Sequence, residues 1–168
     1  MTPSAPDACS RDEHAPPTND SRAVKIAVDH WGFPSSNTVS VRWEPLRRAS
    51  EAVAGSTCTI WRALVDSASD SVSMVVKTLH FAESRSQVWA ASGSPSDPMY
   101  WRREAEALRY FRASALPGPL DPGRCRLVVD LDDGHTELWL DDQTGECGAG
   151  WDAARLAVAA RHLGETQG

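Results

Sequence analysis

Lys77 is the residue whose type and position most clearly suggest chemistry. It ends the apolar run Met74-Val75-Val76-Lys77, where a strand is predicted, and burial there disfavours an ammonium group unless an anion lies beside it. Only two of the seventeen basic residues are lysines, Lys25 and Lys77, so this sequence uses arginine wherever it needs positive charge alone. We therefore expect Lys77 to be required as a lysine, paired with a carboxylate or with phosphate oxygens.

The carboxylate partner is expected from the next helix, which offers Glu104 and Glu106. Glu104 lies at helical spacing from Trp101 and Leu108 and shares their face, so it is preferred over Glu106. A simpler interpretation stays open for both members of the pair. Lys77 could be a strand-end lysine that reaches solvent, and Glu104 an ordinary carboxylate on a helix surface.

A run of strands interrupted by one helix must position these residues. The sequence predicts strands at residues 57–65, 72–79, 126–131 and 136–140, because these runs are rich in β-branched and apolar side chains. The helix is predicted over residues 100–113, with Asp97 as its cap and Pro98 at its first position. These two hairpins and the helix, together with the apolar segment that precedes them, predict an α+β fold: an antiparallel sheet of about five strands with one helix packed on it.

The flanking segments differ in composition. Residues 1–21 hold almost no large apolar side chains, and we expect a disordered leader there. Residues 22–47 regain apolar side chains and are expected to pack on the domain edge as a strand or a short helix. Residues 48–140 then form the main lobe, and residues 151–163 form an amphipathic helix with Leu156 on its apolar stripe.

Composition excludes several classes of function. The formal charge is −6 and no basic run is longer than a pair, so the chain lacks the positive surface that a nucleic-acid partner needs. No apolar stretch approaches a membrane span, and the amino end does not look like a signal peptide. The four cysteines have neither zinc-like spacing nor a disulfide pattern, so we expect reduced thiols. A cytoplasmic protein is expected.

Four patches of the sequence resemble the amino-terminal lobe of the aminoglycoside phosphotransferase family, relatives of protein kinases that phosphorylate small molecules. They occur in the family's order: Val75-Val76-Lys77, Trp101-Arg102-Arg103-Glu104-Ala105, Glu137-Leu138-Trp139-Leu140-Asp141-Asp142, and Leu156-Ala157-Val158-Ala159-Ala160-Arg161-His162-Leu163-Gly164. The resemblance covers the chain from about Val39 onward. It implies a kinase-like small lobe over residues 48–140, followed over residues 141–168 by a hinge and the first helix of a large lobe.

The resemblance also implies roles for individual residues. Lys77 would bind the α- and β-phosphates of ATP, and Glu104 would hold the Lys77 ammonium. Gly55-Ser56-Thr57 would form the tight turn over the phosphates, although a loop with one glycine fits a plain hairpin turn equally well. Backbone groups of a hinge at residues 138–142, including Leu140, would receive the adenine. Trp139 is interpreted as core rather than ligand.

The residues for catalysis are not found in this sequence. Phosphoryl transfer of this kind needs an Asp in an H-x-D-x-x-x-x-N loop and a second Asp that carries Mg²⁺. None of the five histidines has an Asp two positions later, and Asp29-His30-Trp31-Gly32 precedes Lys77, which is the wrong order for the metal-binding Asp. Asp130-Leu131-Asp132-Asp133 is interpreted as a run of acidic turn residues rather than as a metal site. We therefore expect a truncated chain, with the Mg²⁺ ligands in a missing large lobe.

Hypotheses from different classes remain open. The chain is either the nucleotide-binding lobe of an ATP-dependent phosphotransferase, inactive alone, or a non-catalytic kinase-like module that docks a partner through its last helix. The partner would be a large lobe supplied in trans, or a second copy that associates through residues 151–163. A degenerate remnant with no present function is the third possibility.

Overall fold

The computed structural model describes residues 19–34, 39–46, 57–81, 91–113, 125–143 and 152–167. In chain order they form α1 (Asp20–Trp31), β1 (Ser40–Pro45), β2 (Thr57–Asp66), β3 (Ser71–Leu79), α2 (Arg103–Ala113), β4 (Cys125–Asp130), β5 (Thr136–Asp141) and α3 (Ala153–Gln167). The predicted α+β class is confirmed, with five strands in one sheet.

The sheet has the strand order β1-β2-β3-β5-β4, and all neighbouring strands are antiparallel. The first three strands form a meander, α2 follows, and the hairpin β4–β5 then places β5 beside β3. A turn at Asp66–Ser71 closes the first hairpin, where the N–H of Ser67 donates to the C=O of Asp70 at 2.8 Å. Gly134, with a φ of 83°, closes the second. This arrangement is consistent with a small kinase-like lobe.

Helix α1 covers one face of the sheet. Its ends are set by local signals: the Asn19 side chain accepts from the N–H of Arg22 at 3.1 Å, and Gly32 ends the helix with a φ of 64°. We call the apolar contact beneath it the α1-side core, whose buried members are Ala23, Ile26, Ala27, Phe33, Ala63, Val65, Met74, Val76 and Trp139.

The edge segment therefore contains both a helix and a strand, where the sequence analysis expected one or the other. Asp20 and Ser21 belong to α1, so the leader predicted for residues 1–21 is wrong at its end, because Asn19 caps a helix there. Residues 1–18 lie outside the described residues.

Helix α2 covers the opposite face. Successive side chains of a strand point to opposite faces, so Lys77 and Leu79 lie on the side away from Val76. Leu79 and Leu138 meet Ala105 and Leu108 of α2 in what we call the α2-side core. The prediction of one packed helix is thus incomplete, since α1 and α2 enclose the sheet.

The beginning of α2 differs from the prediction. The Asp97 side chain accepts from the N–H of Met99 at 2.7 Å, which stabilises a turn, and the helix begins only at Arg103. Asp97 therefore does not cap α2. A short side chain that accepts from the backbone two residues later favours a turn as readily as a helix start.

Helix α3 begins after Asp152, whose side chain accepts from the N–H of Arg155 at 2.9 Å. Its apolar side chains Leu156 and Val158 are 50% and 45% exposed. No helix among the described residues is both long and apolar enough to cross a membrane.

Candidate functional site

Lys77 and Glu104 form an ion pair on the α2 side of the sheet. The distance from Lys77 Nζ to Glu104 Oε2 is 2.5 Å, and the lysine side chain is 18% exposed against 42% for the glutamate. The structure thus brings together the two residues that the sequence predicts to pair. Lys25 shows the ordinary alternative: it is 74% exposed and pairs with Asp29 within one helix turn.

Strand register and helix contact together produce this pair. Lys77 lies opposite Ile60 in β2 and Leu138 in β5, so apolar neighbours flank it on both sides. Ala105 follows Glu104 directly and is fully buried in the α2-side core. The carboxylate is therefore carried by the first turn of α2, next to the point where the helix touches the sheet.

The turn that is expected over the phosphates lies only partly within the described residues. Gly55 and Ser56 lie outside the described residues, and Thr57 begins β2 opposite Leu79. The chain leaves the sheet at Leu46, whose N–H donates to the C=O of Ile60 at 2.9 Å.

Leu140 lies inside the sheet rather than in a hinge. It pairs with Val75 of β3 and Cys125 of β4, so its backbone groups belong to the ladder between the strands. An adenine contact through the backbone of Leu140 does not fit this position, and its side chain packs against the α2-side core. Backbone beyond β5 starts at Asp142, the last residue of the hinge expected at residues 138–142.

Asp142, directly after β5, is held by one side chain from β2 and one from β3. Its Oδ2 accepts from Arg62 Nε at 2.7 Å and from Ser73 Oγ. The Asp142 carboxylate, through this hydrogen bond and its charge, raises the pKa of Arg62. These contacts fix the direction in which the chain leaves the sheet. Trp139, which lies earlier in β5, is fully buried, in agreement with its interpretation as core.

The sequence predicts Asp130 to be an acidic residue of a turn, and the structure places it at the end of β4. Its carboxylate accepts from Arg102 Nη2 at 2.5 Å, Arg109 Nη2 at 2.8 Å and Thr136 Oγ1 at 2.9 Å. Burial acts to raise the pKa of Asp130, but the hydrogen bonds from Arg109, Thr136 and Arg102 outweigh it, and the pKa is lowered. The signal for this cluster is the seven-residue spacing of the two arginines, which places them on one helix face.

His80 and His135 form a second feature that the sequence analysis did not find. Their rings stack with centroids 4.3 Å apart, both are buried, and His135 Nδ1 lies 3.0 Å from Asp133 Oδ1. Within the described part of the chain, His80 Nδ1 has no hydrogen-bond partner. Burial, reinforced by His135 and opposed by Asp133, lowers the pKa of His80.

Comparisons with family models, with curated proteins and with solved structures found no match to this chain. The described residues contain no group of three His, Cys, Asp or Glu side chains that could hold a metal ion. What the site offers chemically, within the described residues, is a partly buried ammonium group that donates to a partly exposed carboxylate.

Proposed function

We propose that this chain is the nucleotide-binding lobe of an ATP-dependent small-molecule phosphotransferase similar to the aminoglycoside phosphotransferases. The observation that carries the proposal is the Lys77–Glu104 ion pair, which joins the third strand of the meander to the helix that follows it. A strand lysine held by a helix carboxylate is the arrangement by which kinase-like enzymes hold ATP phosphates.

The donor capacity of Lys77 fits this use. A lysine ammonium has three N–H donors, and among the described residues Glu104 accepts from Lys77 Nζ. The remaining donors can serve phosphate oxygens while Glu104 keeps the ammonium in place. Partial burial strengthens such a charge-assisted contact, because less water competes for it.

Phosphoryl transfer needs further groups in this proposal. The catalytic base and the carboxylates that carry Mg²⁺ would come from a large lobe that follows the hinge or is supplied by a partner chain. We place the lobe in the cytoplasm, where a phosphotransferase has access to ATP. The acceptor is a small alcohol or amine, and its contacts are assigned to the large lobe.

Calorimetric titration of the chain with ATP and ADP tests the proposal. We expect Lys77→Met to weaken nucleotide binding about tenfold or more, the size of a lost charge-assisted contact, and Glu104→Gln to weaken it less. Lys25→Met is the matched control, because it removes the other, exposed lysine and should leave the affinity unchanged. Equal affinities for wild type and Lys77→Met would remove Lys77 from the site.

The second candidate is a non-catalytic module that docks a partner through α3. The exposure of Leu156 and Val158 favours it. Light scattering discriminates: self-association that Leu156→Glu abolishes supports the docking function, whereas a monomer at all concentrations argues against docking of a second copy.

A further inference from the structure

The Lys77–Glu104 pair cannot itself hold α2 in place. Glu104 is 42% exposed and, among the described residues, forms a single ion pair, with Lys77; an isolated pair of this kind contributes little to structure because water and salt screen it. The apolar contacts of α2 with the sheet are made by Ala105 and Leu108, and Ala105 presents only a methyl group there. A polar contact that spans a longer part of the helix would constrain its rotation about its axis further.

The Asp130 side chain is 51% exposed, but its carboxylate belongs to a network with two arginines, and such a network contributes more than an isolated pair. The carboxylate accepts from Arg102 just before α2, from Arg109 two turns later, and from Thr136 at the beginning of β5. The arginines bracket Glu104 along the helix, and Thr136 lies two residues before Leu138, the partner of Lys77 in the sheet. One carboxylate thus ties both the helix face and the strand beside Lys77 to the end of β4.

The charges around this carboxylate favour the same conclusion. Glu106 accepts from Arg109 Nη1 at 2.9 Å and lies 3.6 Å from Arg102 Nε. Without Asp130, Glu106 would be the remaining acidic partner of both arginines in the described structure, and it belongs to α2 itself. The arginines would then no longer connect α2 to the sheet.

We propose that Asp130 is a positioning residue that sets the rotation of α2 and thereby brings Glu104 to Lys77. Its importance for nucleotide binding rests on the proposed function, whereas its effect on the ion pair does not. The two can therefore be tested apart.

Competitive acetylation of the full chain, read by mass spectrometry, reports on the ion pair without nucleotide. The two lysines are modified in one sample, so the ratio of Lys77 to Lys25 modification is internally normalised. Glu104→Gln should raise this ratio about threefold, the size expected for a partly exposed ion pair. Asp130→Asn, which keeps the size of the side chain and removes its charge, should raise it by a similar factor.

Asp141→Asn is the matched control. Asp141 makes two hydrogen bonds to Arg126, at 2.6 and 2.8 Å, and its register with Met74 places it on the α1 side of the sheet. This variant loses a comparable carboxylate–arginine contact and should leave the ratio unchanged. Arg109→Gln removes one donor to Asp130 from the helix side and should raise the ratio less than Asp130→Asn does. This second variant keeps the proposal testable if Asp130→Asn folds poorly.

The outcomes separate the two proposals. An unchanged ratio in Asp130→Asn, or an equal rise in Asp141→Asn, would overturn the positioning role whatever the nucleotide affinity. If wild type does not bind ATP, the acetylation ratios still decide the role of Asp130. If wild type binds ATP, Asp130→Asn should lower the affinity for ATP several-fold, to about the level of Glu104→Gln. An unaltered ATP affinity together with a raised acetylation ratio would contradict the link between the ion pair and nucleotide binding.

Discussion

Lys77 and Lys25 carry the same ammonium group in two different environments. Lys25 lies on the outer surface of α1, whereas Lys77 is enclosed by strands β2 and β5 and by α2. A partly buried ammonium loses hydrogen bonds to water, and fixed acceptors must replace them. Glu104 supplies one acceptor, and a bound phosphate would supply more. This difference between two identical side chains is the strongest residue-level support for an anion site.

His80 makes the stability of the fold depend on pH. Its pKa is lowered in the folded protein by burial and by His135, so the unfolded chain binds the proton more tightly. The neutral ring therefore contributes its full stability above the ordinary pKa of 6.5, and that contribution decreases as the pH falls below it. The groups that face His80 in the described structure are His135 and, through it, Asp133.

Replacing His80 should flatten this dependence. We expect the free energy of unfolding of wild type to decrease between about pH 7 and pH 5, with His80 contributing at most about 1.4 kcal/mol per pH unit. His80→Phe should lose that part of the slope, and His30→Gln, which changes an exposed histidine of α1, should keep it. Urea titrations across the pH range measure the slopes, and identical slopes for His80→Phe and wild type would contradict the assignment.

Helix α1 is attached to the sheet by a buried carboxylate as well as by the α1-side core. Glu137 is 5% exposed, and its Oε2 accepts from Arg22 of α1 and from Trp139 Nε1 at 3.0 Å. A buried carboxylate is stable only where such donors satisfy it. Because Glu137 lies in β5, this contact joins α1 to the strand that pairs with the Lys77 strand.

Removal of this carboxylate should be costly. Glu137→Ala leaves the buried Trp139 N–H and the guanidinium of Arg22 without their acceptor, and we expect a loss of about 3 kcal/mol in the free energy of unfolding. Glu44→Ala removes a carboxylate that is 38% exposed beside Arg42, and should cost less than about 1 kcal/mol. Urea denaturation of both variants checks the difference, and equal losses would show that α1 is not attached through Glu137.

The helices and strands were predictable where the local sequence favours a single backbone conformation. The β-branched runs of β2 and β3 and the Asp-Gly turn at Gly134 specify their strands and hairpin directly. Prediction failed at Asp97, whose side chain stabilises a turn instead of the helix start, and at the beginning of α1, which depends on the Asn19 cap. In both places one short polar side chain decides between two local structures.

At the scale of the whole molecule, α1 and α2 pack on opposite faces of the sheet. The Lys77–Glu104 pair lies on the α2 side, and the charged network around Asp142 lies on the same side at the other end of β3, beside Ser73. A ligand that extends from Lys77 toward Asp142 would follow β3 for four residues, about 13 Å at the usual rise of a strand.

The candidate site was predictable only in part. Lys77 and Glu104 follow from residue type, strand position and helix spacing, which are properties of the sequence itself. The role of Asp130 depends on Arg102 and Arg109 reaching across to β4, and the ladder position of Leu140 depends on β5 lying between two strands. Such contacts arise from the arrangement of elements, which the spacing of residues along the chain does not specify.

The central claim is that the Lys77 ammonium binds nucleotide phosphates, and nuclear magnetic resonance of the chain labelled with ¹⁵N-lysine tests it most directly. The two lysines give two side-chain signals, so titration with ATP observes Lys77 and its internal control, Lys25, in one sample. We predict a saturable shift of the Lys77 signal with ATP and with ADP, no shift of the Lys25 signal, and no response to adenosine. Signals that do not move, that move equally, or that respond equally to adenosine would contradict the claim.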